Sequence, residues 1–311
     1  MKLTGNAFEQ IRGWIYRNAR PLDAARWRFH FERGAAQDVL SALSFYQNPD
    51  GGFGHALDAD CWNPESTPYA TLNAATLLRS VGLTSPDLPM LRDILNYFRS
   101  GSGFEAGQWL FTLPSNDGWP HAPWWHFDAA TNACESAGLS AAVSAFLLDV
   151  VTPGDALFDT ALSLASQAHK RMLTPDASGE MFLEACLALL PHWKRLSITS
   201  EPSVTEARVH ELVRQAITHA PEDWSGYVPR PSRYIHGPES AFCDENRALV
   251  EAELDYLIQT LPSCGVWPIN WSWFQNCERY AGAFAISENW AKAYTSLEKV
   301  LWLKAFDRIE A

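Results

Sequence analysis

The fold assignment starts from one stretch of sequence, Gln47-Asn48-Pro49-Asp50-Gly51-Gly52-Phe53-Gly54. It lies between two segments with helical periodicity, and its glycines permit a tight turn in which the backbone comes close to other groups. We expect Asp50 to cap this turn with its own side chain. Potential acids and a histidine follow it closely: His55, Asp58, Asp60 and Glu65. The stretch therefore predicts a structural turn that holds a loop carrying chemically active side chains.

Helical periodicity dominates the rest of the chain, and no segment alternates as a strand in a hairpin would. Two kinds of helix alternate. Some are amphipathic, such as the one expected after a capping pattern at Ser203 and Glu206. Others are apolar on most faces and are expected to be buried, such as the helix over 133–150 and the helix that Thr67 caps and Pro68 begins. The amphipathic helix over 91–98 is expected to end at Gly101. The pattern predicts an all-α fold, an α/α toroid in which inner and outer helices alternate around an axis. We expect a single domain over residues 1–311, with residues 1–34 forming N-terminal helices that pack on the barrel.

Composition excludes several classes of partner. The chain of 311 residues is 47% hydrophobic and 19% charged, which is typical of a globular protein. A net charge of −12 with dispersed Lys and Arg disfavours nucleic acid. No apolar run in the sequence is long and clean enough for an integral membrane segment, and no hydrophobic signal core follows Met1, so we expect a cytoplasmic protein. The six cysteines are scattered without a C-x-x-C pair, which favours free thiols.

The motif Gln47-x-x-Asp50-Gly51-Gly52-Phe53 resembles the QW repeat of squalene cyclases and related terpene cyclases. The β-subunits of protein prenyltransferases carry a similar repeat. Both families are α/α toroids, so the resemblance implies the fold that the helix pattern also predicts. Asn116-Asp117-Gly118-Trp119 is a partial second copy of the motif. The specific part of the resemblance covers about residues 47–82.

The resemblance also implies a catalytic acid. Class II terpene cyclases carry a D-x-D-D-T-A-like motif whose middle aspartate protonates an alkene or an epoxide. This chain has Asp58-Ala59-Asp60-Cys61 at the corresponding place, so Asp60 would be the proton donor and Asp58 its partner. The alternative is structural, because both aspartates can cap loop amides.

Metal-dependent chemistry is not expected from the family motifs. The chain has no D-D-x-x-D helix, and Asp60 and Cys61 are adjacent instead of forming the Asp-x-Cys of a prenyltransferase zinc site. We therefore expect neither a metal nor another cofactor.

In a ring of alternating helices, every outer-to-inner loop lies at the same end. The loops at 47–66, 101–131, 220–238 and 262–288 should therefore meet around one mouth. Aromatic faces there could shield a carbocation, and clustered acids could serve as general acids. The predicted substrate-binding residues are Phe53, His55, Trp62, Glu65, Trp119, Trp124, Trp125, His126, Trp271, Trp273 and Glu278.

Three functions from different classes remain open. The first is a terpenoid cyclase or isomerase, in which Asp60 protonates an alkene of a hydrophobic, isoprenoid-like substrate. The second is a carbohydrate-active α/α-barrel enzyme with paired carboxylates and Trp stacking platforms. The third is a non-catalytic binding toroid. An enzyme is the favoured interpretation.

Overall fold

A computed structural model describes residues 1–175, 177 and 179–310. These residues form twelve α-helices and one two-stranded sheet, which confirms the all-α prediction. The helices are α1 (Gly5–Asn18), α2 (Pro21–Phe31), α3 (Ala36–Leu43), α4 (Pro68–Ser80), α5 (Pro89–Ser100), α6 (Ala129–Val150), α7 (Ala156–Met172), α8 (Glu180–Arg195), α9 (Pro202–Ala216), α10 (Arg247–Thr260), α11 (Asn276–Arg279) and α12 (Ala281–Ala305). The strands β1 (Phe104–Glu105) and β2 (Gln108–Trp109) form a short antiparallel hairpin that the sequence pattern did not predict.

The chain divides into two compact units. The central unit comprises residues 43–212, and the terminal unit comprises residues 1–42 together with 213–311. That the chain forms a single domain, and that its helices close into a toroid, both remain predictions.

Within the central unit, the apolar helix α6 packs against α4, α7 and α8, while the amphipathic helix α5 contacts α4 and α7. Gly138 in α6 permits the close approach to α8, because a Cβ there would lie 3.2 Å from the backbone nitrogen of Phe182. Helix α6, which is apolar on most faces, is therefore packed against helices on several sides.

The ends of α4 and α5 follow local sequence signals. The Thr67 side chain accepts a hydrogen bond from the amide of Ala70, and Pro68 occupies the first turn of α4, as predicted. Gly101 ends α5 in the left-handed conformation at φ 73°, which glycine adopts without strain. The capping pattern at Ser203 and Glu206 was wrong, because α9 already begins at Pro202.

Helix α6 carries a polar stripe on its otherwise apolar surface. Asn132, Ser136 and Ser140 are one turn apart, and their side chains accept hydrogen bonds from the amides of three residues in the extended segment 109–112. The Asn132 side chain also donates to the carbonyl of Thr112. This stripe satisfies buried backbone groups and fixes the segment that leads into the loop at 114–128.

Helix α6 is also the one described helix that is long and apolar enough to cross a membrane by length and composition. Within its most apolar window, 61% of the residues are buried inside the protein. Burial of this extent is what the core helix of a folded domain shows.

The terminal unit is built around α12, against which α1 and α2 pack. Phe8, Trp27 and Phe31 form a cluster of mutually contacting rings, with centroid distances of 4.5–5.5 Å. Leu3 pairs in a parallel bridge with Ile309, so the first and last described segments of the chain lie side by side.

Candidate functional site

The 47–54 turn is locked by its own aspartate, as predicted. Asp50 Oδ1 accepts hydrogen bonds from the amide of Gly52 at 2.9 Å and from the Ser66 hydroxyl at 2.7 Å. Phe53 is fully buried, and its amide donates to the Thr71 hydroxyl at the start of α4. This turn anchors the following loop to α4.

The two predicted catalytic aspartates differ in their surroundings. Asp58 is half-buried, and its Oδ1 accepts the amide of Asp60 at 2.8 Å, which is the capping role of the structural alternative. Asp60 is only 8% exposed. Its backbone carbonyl accepts the amide of Ala122 at 2.8 Å, so its position is fixed by the neighbouring loop. Asp60 is therefore the more shielded of the two acids.

The loops at 58–65 and 114–128 lie against each other. Cys61 and His121 form an antiparallel bridge, and the amide of Trp62 donates to the carbonyl of Pro120 at 2.9 Å. The structure therefore joins the predicted acid loop to the loop that carries the partial second copy of the motif.

A buried amide network holds the same two loops together. Asn63 Nδ2 donates to Asn116 Oδ1 at 2.9 Å, and Asn116 Nδ2 donates to the carbonyl of Trp125 at 3.0 Å. Both asparagine side chains are almost fully buried. Because an unsatisfied buried amide is costly, this network specifies how the two loops pack.

A small cavity of about 20 Å³ lies between these loops and α4. Asp58, Tyr69 and Trp125 are among the residues that line it. Tyr69 and Trp125 contact each other at a centroid distance of 4.6 Å, and Phe111 stacks on Trp125 at 4.9 Å. A cavity of this size holds about one water molecule and is too small for an isoprenoid chain.

Two histidines and an aspartate cluster on the second loop. One ligand atom from each of Asp117, His121 and His126 lies within 4.8 Å of the others. His126 Nδ1 is 2.9 Å from Asp117 Oδ1, and the two imidazole rings are stacked at a centroid distance of 6.3 Å. His121 is buried, whereas Asp117 and His126 are exposed.

The sequence pattern placed His126 among the substrate-binding residues but did not single out Asp117. That aspartate was considered only as part of a degenerate repeat. The spacing Asp-x3-His-x4-His was the available signal, and it became informative only once the loop placed the three side chains together.

The other predicted site residues lie in both units. In the central unit, His55 and Glu65 are exposed, and His55 Nε2 is 2.9 Å from Asn48 Oδ1. Trp119 is exposed, and Trp62 and Trp124 are half-buried. The terminal unit contains Trp271, half-buried, Trp273, buried, and Glu278, exposed.

The Cys61 thiol beside the aspartates has low reactivity. Burial raises its pKa to about 12. A thiol in this state stays protonated at neutral pH, and the thiolate is the form that attacks substrates and binds metals. Cys61 is therefore neither a nucleophile nor a ready ligand.

A larger cavity of about 230 Å³ lies between α6, α7 and α8. Small apolar residues such as Ala137, Ala141 and Ala168 form much of its wall, and Gln167 and Arg171 add polar groups. The described residues that line it include none of the predicted site residues.

Comparisons of the chain with protein-family models, with curated proteins and with solved structures find no match. The resemblance to terpene cyclases therefore rests on the motif at residues 47–53 and on the helix pattern.

Proposed function

We propose that the protein is a terpenoid cyclase- or isomerase-like enzyme of the cytoplasm in which Asp60 protonates an alkene of an isoprenoid substrate. The observation that carries this proposal is the shielding of Asp60, a residue 8% exposed on the loop that leads into the apolar helix α4, whose protonated carboxyl group would give its proton to the alkene. Proton transfer to a carbon–carbon double bond creates a cation that water would trap, so it requires a site from which water is excluded. Electrostatic interactions with that cation are also stronger in such a site.

The aromatic cluster beside this loop supports the same chemistry. Tyr69, Phe111 and Trp125 pack together at centroid distances of 4.6–5.7 Å next to the small cavity. Aromatic faces stabilise a nearby cation through the ring quadrupole. Asp58, the partner of Asp60, lines this cavity of about 20 Å³, which holds about one water molecule, so the substrate itself would bind outside it.

The test is turnover of a panel of prenyl diphosphates and squalene-like polyenes, with products identified by gas chromatography and mass spectrometry. The Asp60→Asn variant should lower the rate of product formation by about 10²-fold or more, the usual contribution of a general acid. The matched control is Asp50→Asn, because Asp50 caps a turn and should leave the rate unchanged where the protein stays folded.

Circular dichroism and the melting temperature show whether each variant folds. The proposal is wrong if the wild-type protein converts no member of the panel. It is also wrong if folded Asp60→Asn forms product at the wild-type rate.

A non-catalytic binding protein is the second candidate, because the cavity between α6, α7 and α8 is large enough for a small organic molecule. In this case isoprenoid alcohols or fatty acids should raise the melting temperature without being converted. Ala137→Trp, which fills the cavity, should abolish the increase, whereas Asp60→Asn should not. An increase that Asp60→Asn abolishes and Ala137→Trp leaves unchanged would favour the enzyme.

A further inference from the structure

The cluster of Asp117, His121 and His126 has the composition and spacing of a metal site. Ligands bound tetrahedrally to one ion, each at ~2.1 Å from it, are ~3.4 Å apart. His126 Nδ1 and Asp117 Oδ1 lie 2.9 Å apart in a hydrogen bond, which the ion would replace when the imidazole proton is released. The ligand atom of His121 lies within 4.8 Å of both, so shifts of about 1 Å would complete the set.

The ring of His121 is oriented as a ligand is. Its Nδ1 lies 2.6 Å from the carbonyl oxygen of Trp119. Since a carbonyl only accepts, Nδ1 is the donor in this contact, so a metal ion would be bound through Nε2. Histidines that bind metals usually donate their second N–H to a carbonyl or carboxylate in this way.

The surroundings also hold the carboxylate. Asp117 Oδ1 accepts the amide of Phe127 at 2.9 Å, and Asp117 lies in a 3₁₀ turn, Pro114–Gly118. His121 is fixed by its bridge to Cys61 on the neighbouring loop. Asp117 and His121 are thus positioned by contacts that do not involve the His126 side chain.

We propose that Asp117, His121 and His126 bind one divalent transition-metal ion, such as Zn²⁺ or Co²⁺. Imidazole ligands favour these ions over Mg²⁺ and Ca²⁺, which prefer oxygen. Three protein ligands leave one or more coordination positions open, as in catalytic sites. Side-chain exposures of 62% for His126 and 38% for Asp117 give the ion access from solvent.

The metal site is independent of the proposed terpenoid chemistry, because the ion is expected to bind without substrate. The pairing of Cys61 with His121 places the metal loop next to the loop of Asp60, so bound metal should also stiffen the acid loop.

The test is titration of the untagged, full-length protein with Co²⁺ after removal of metals with EDTA. We expect one equivalent to bind, with visible d–d absorption and without the near-ultraviolet band of a thiolate ligand. Asp117→Asn and His126→Gln should each weaken binding by about 100-fold or more, beyond the 10- to 100-fold typical of losing an outer-shell partner. Both side chains are exposed, so both variants should keep the wild-type circular dichroism spectrum.

The matched controls come from the first copy of the motif and the residue after it. Asp50→Asn and His55→Gln also remove one acid and one imidazole, and where folded they should bind Co²⁺ with wild-type affinity. A Zn²⁺-induced increase in melting temperature should follow the same order among the variants.

The proposal is overturned if no stoichiometric Co²⁺ binding occurs, if the spectrum shows cysteine ligation, or if folded Asp117→Asn and His126→Gln bind as the wild type does. Failure here with successful turnover of a polyene would reject the metal site alone.

Discussion

The first copy of the motif, Asp50-Gly51-Gly52-Phe53, and the partial second copy, Asp117-Gly118-Trp119, have different surroundings. In the first copy, Asp50 binds its own turn and Phe53 is fully buried. In the second copy, Trp119 is 43% exposed and Asp117 is directed towards His126 and the amide of Phe127. The first copy is thus held by hydrogen bonds to its own turn and to Ser66 and by a buried ring, whereas the aspartate of the second lies beside two imidazoles.

The main difference is the burial of the aromatic residue. The buried ring of Phe53 holds its turn against α4, whereas Trp119 lies at the surface. Each aspartate accepts one backbone amide and contacts one side chain, Ser66 for Asp50 and His126 for Asp117. Equivalent positions in the two copies should therefore respond differently to the same substitution.

The largest difference is expected at the aromatic position. Phe53→Ala should lower the free energy of unfolding by about 4 kcal/mol, because it removes a fully buried ring and leaves a cavity. Trp119→Ala should change it by no more than about 1 kcal/mol, since the indole is largely exposed. Urea unfolding followed by circular dichroism measures both. Equal losses for the two variants would contradict the distinction.

The next largest difference is expected at the glycine. Gly51 has φ +87°, and a Cβ there would lie 2.2 Å from the backbone oxygen of Asp93, so Gly51→Ala should cost about 3 kcal/mol. A Cβ at Gly118 would meet no atom of the described residues within 4 Å beyond its chain neighbours, so Gly118→Ala should change stability by less than about 0.5 kcal/mol. The midpoints of thermal unfolding should show the same order. A stable Gly51→Ala protein would show that the turn can move away from α5.

The smallest difference is expected at the aspartate. Asp50→Ala removes the acceptor of two hydrogen bonds and should cost about 1–2 kcal/mol. Asp117→Ala removes the acceptor of the Phe127 amide and a surface contact with His126, and it should cost about 0.5–1 kcal/mol. Differential scanning calorimetry resolves this pair. A larger loss at Asp117 than at Asp50 would mean that the second copy is also structural.

The sequence was informative where structure depends on near neighbours. Thr67 with Pro68 and the glycine at position 101 were correctly interpreted as helix ends, because a cap contacts the backbone only a few residues away. The capping role of Asp50 was predicted for the same reason. At Ser203 the local signal failed, since α9 starts one residue earlier and the serine lies inside the helix.

The candidate site depends on contacts that no local pattern encodes. The hydrogen bond between Asn63 and Asn116 joins residues 53 positions apart, and neither asparagine was singled out for it. The cluster around Asp117 likewise forms only because the loop brings the side chains of His121 and His126 close to that aspartate. The motif located the two loops, but their packing decides which side chains meet.

The pairing of Leu3 with Ile309 has a consequence for how the chain folds as it is made. Helices α1 and α2 leave the ribosome long before α12, the helix on which they pack, has been synthesised. The central unit, residues 43–212, is complete earlier and can fold first. Until then Ile11 and Ile15, both fully buried in the folded protein, lack the packing that α12 provides to α1. The terminal unit can therefore fold only after the whole central unit has been synthesised.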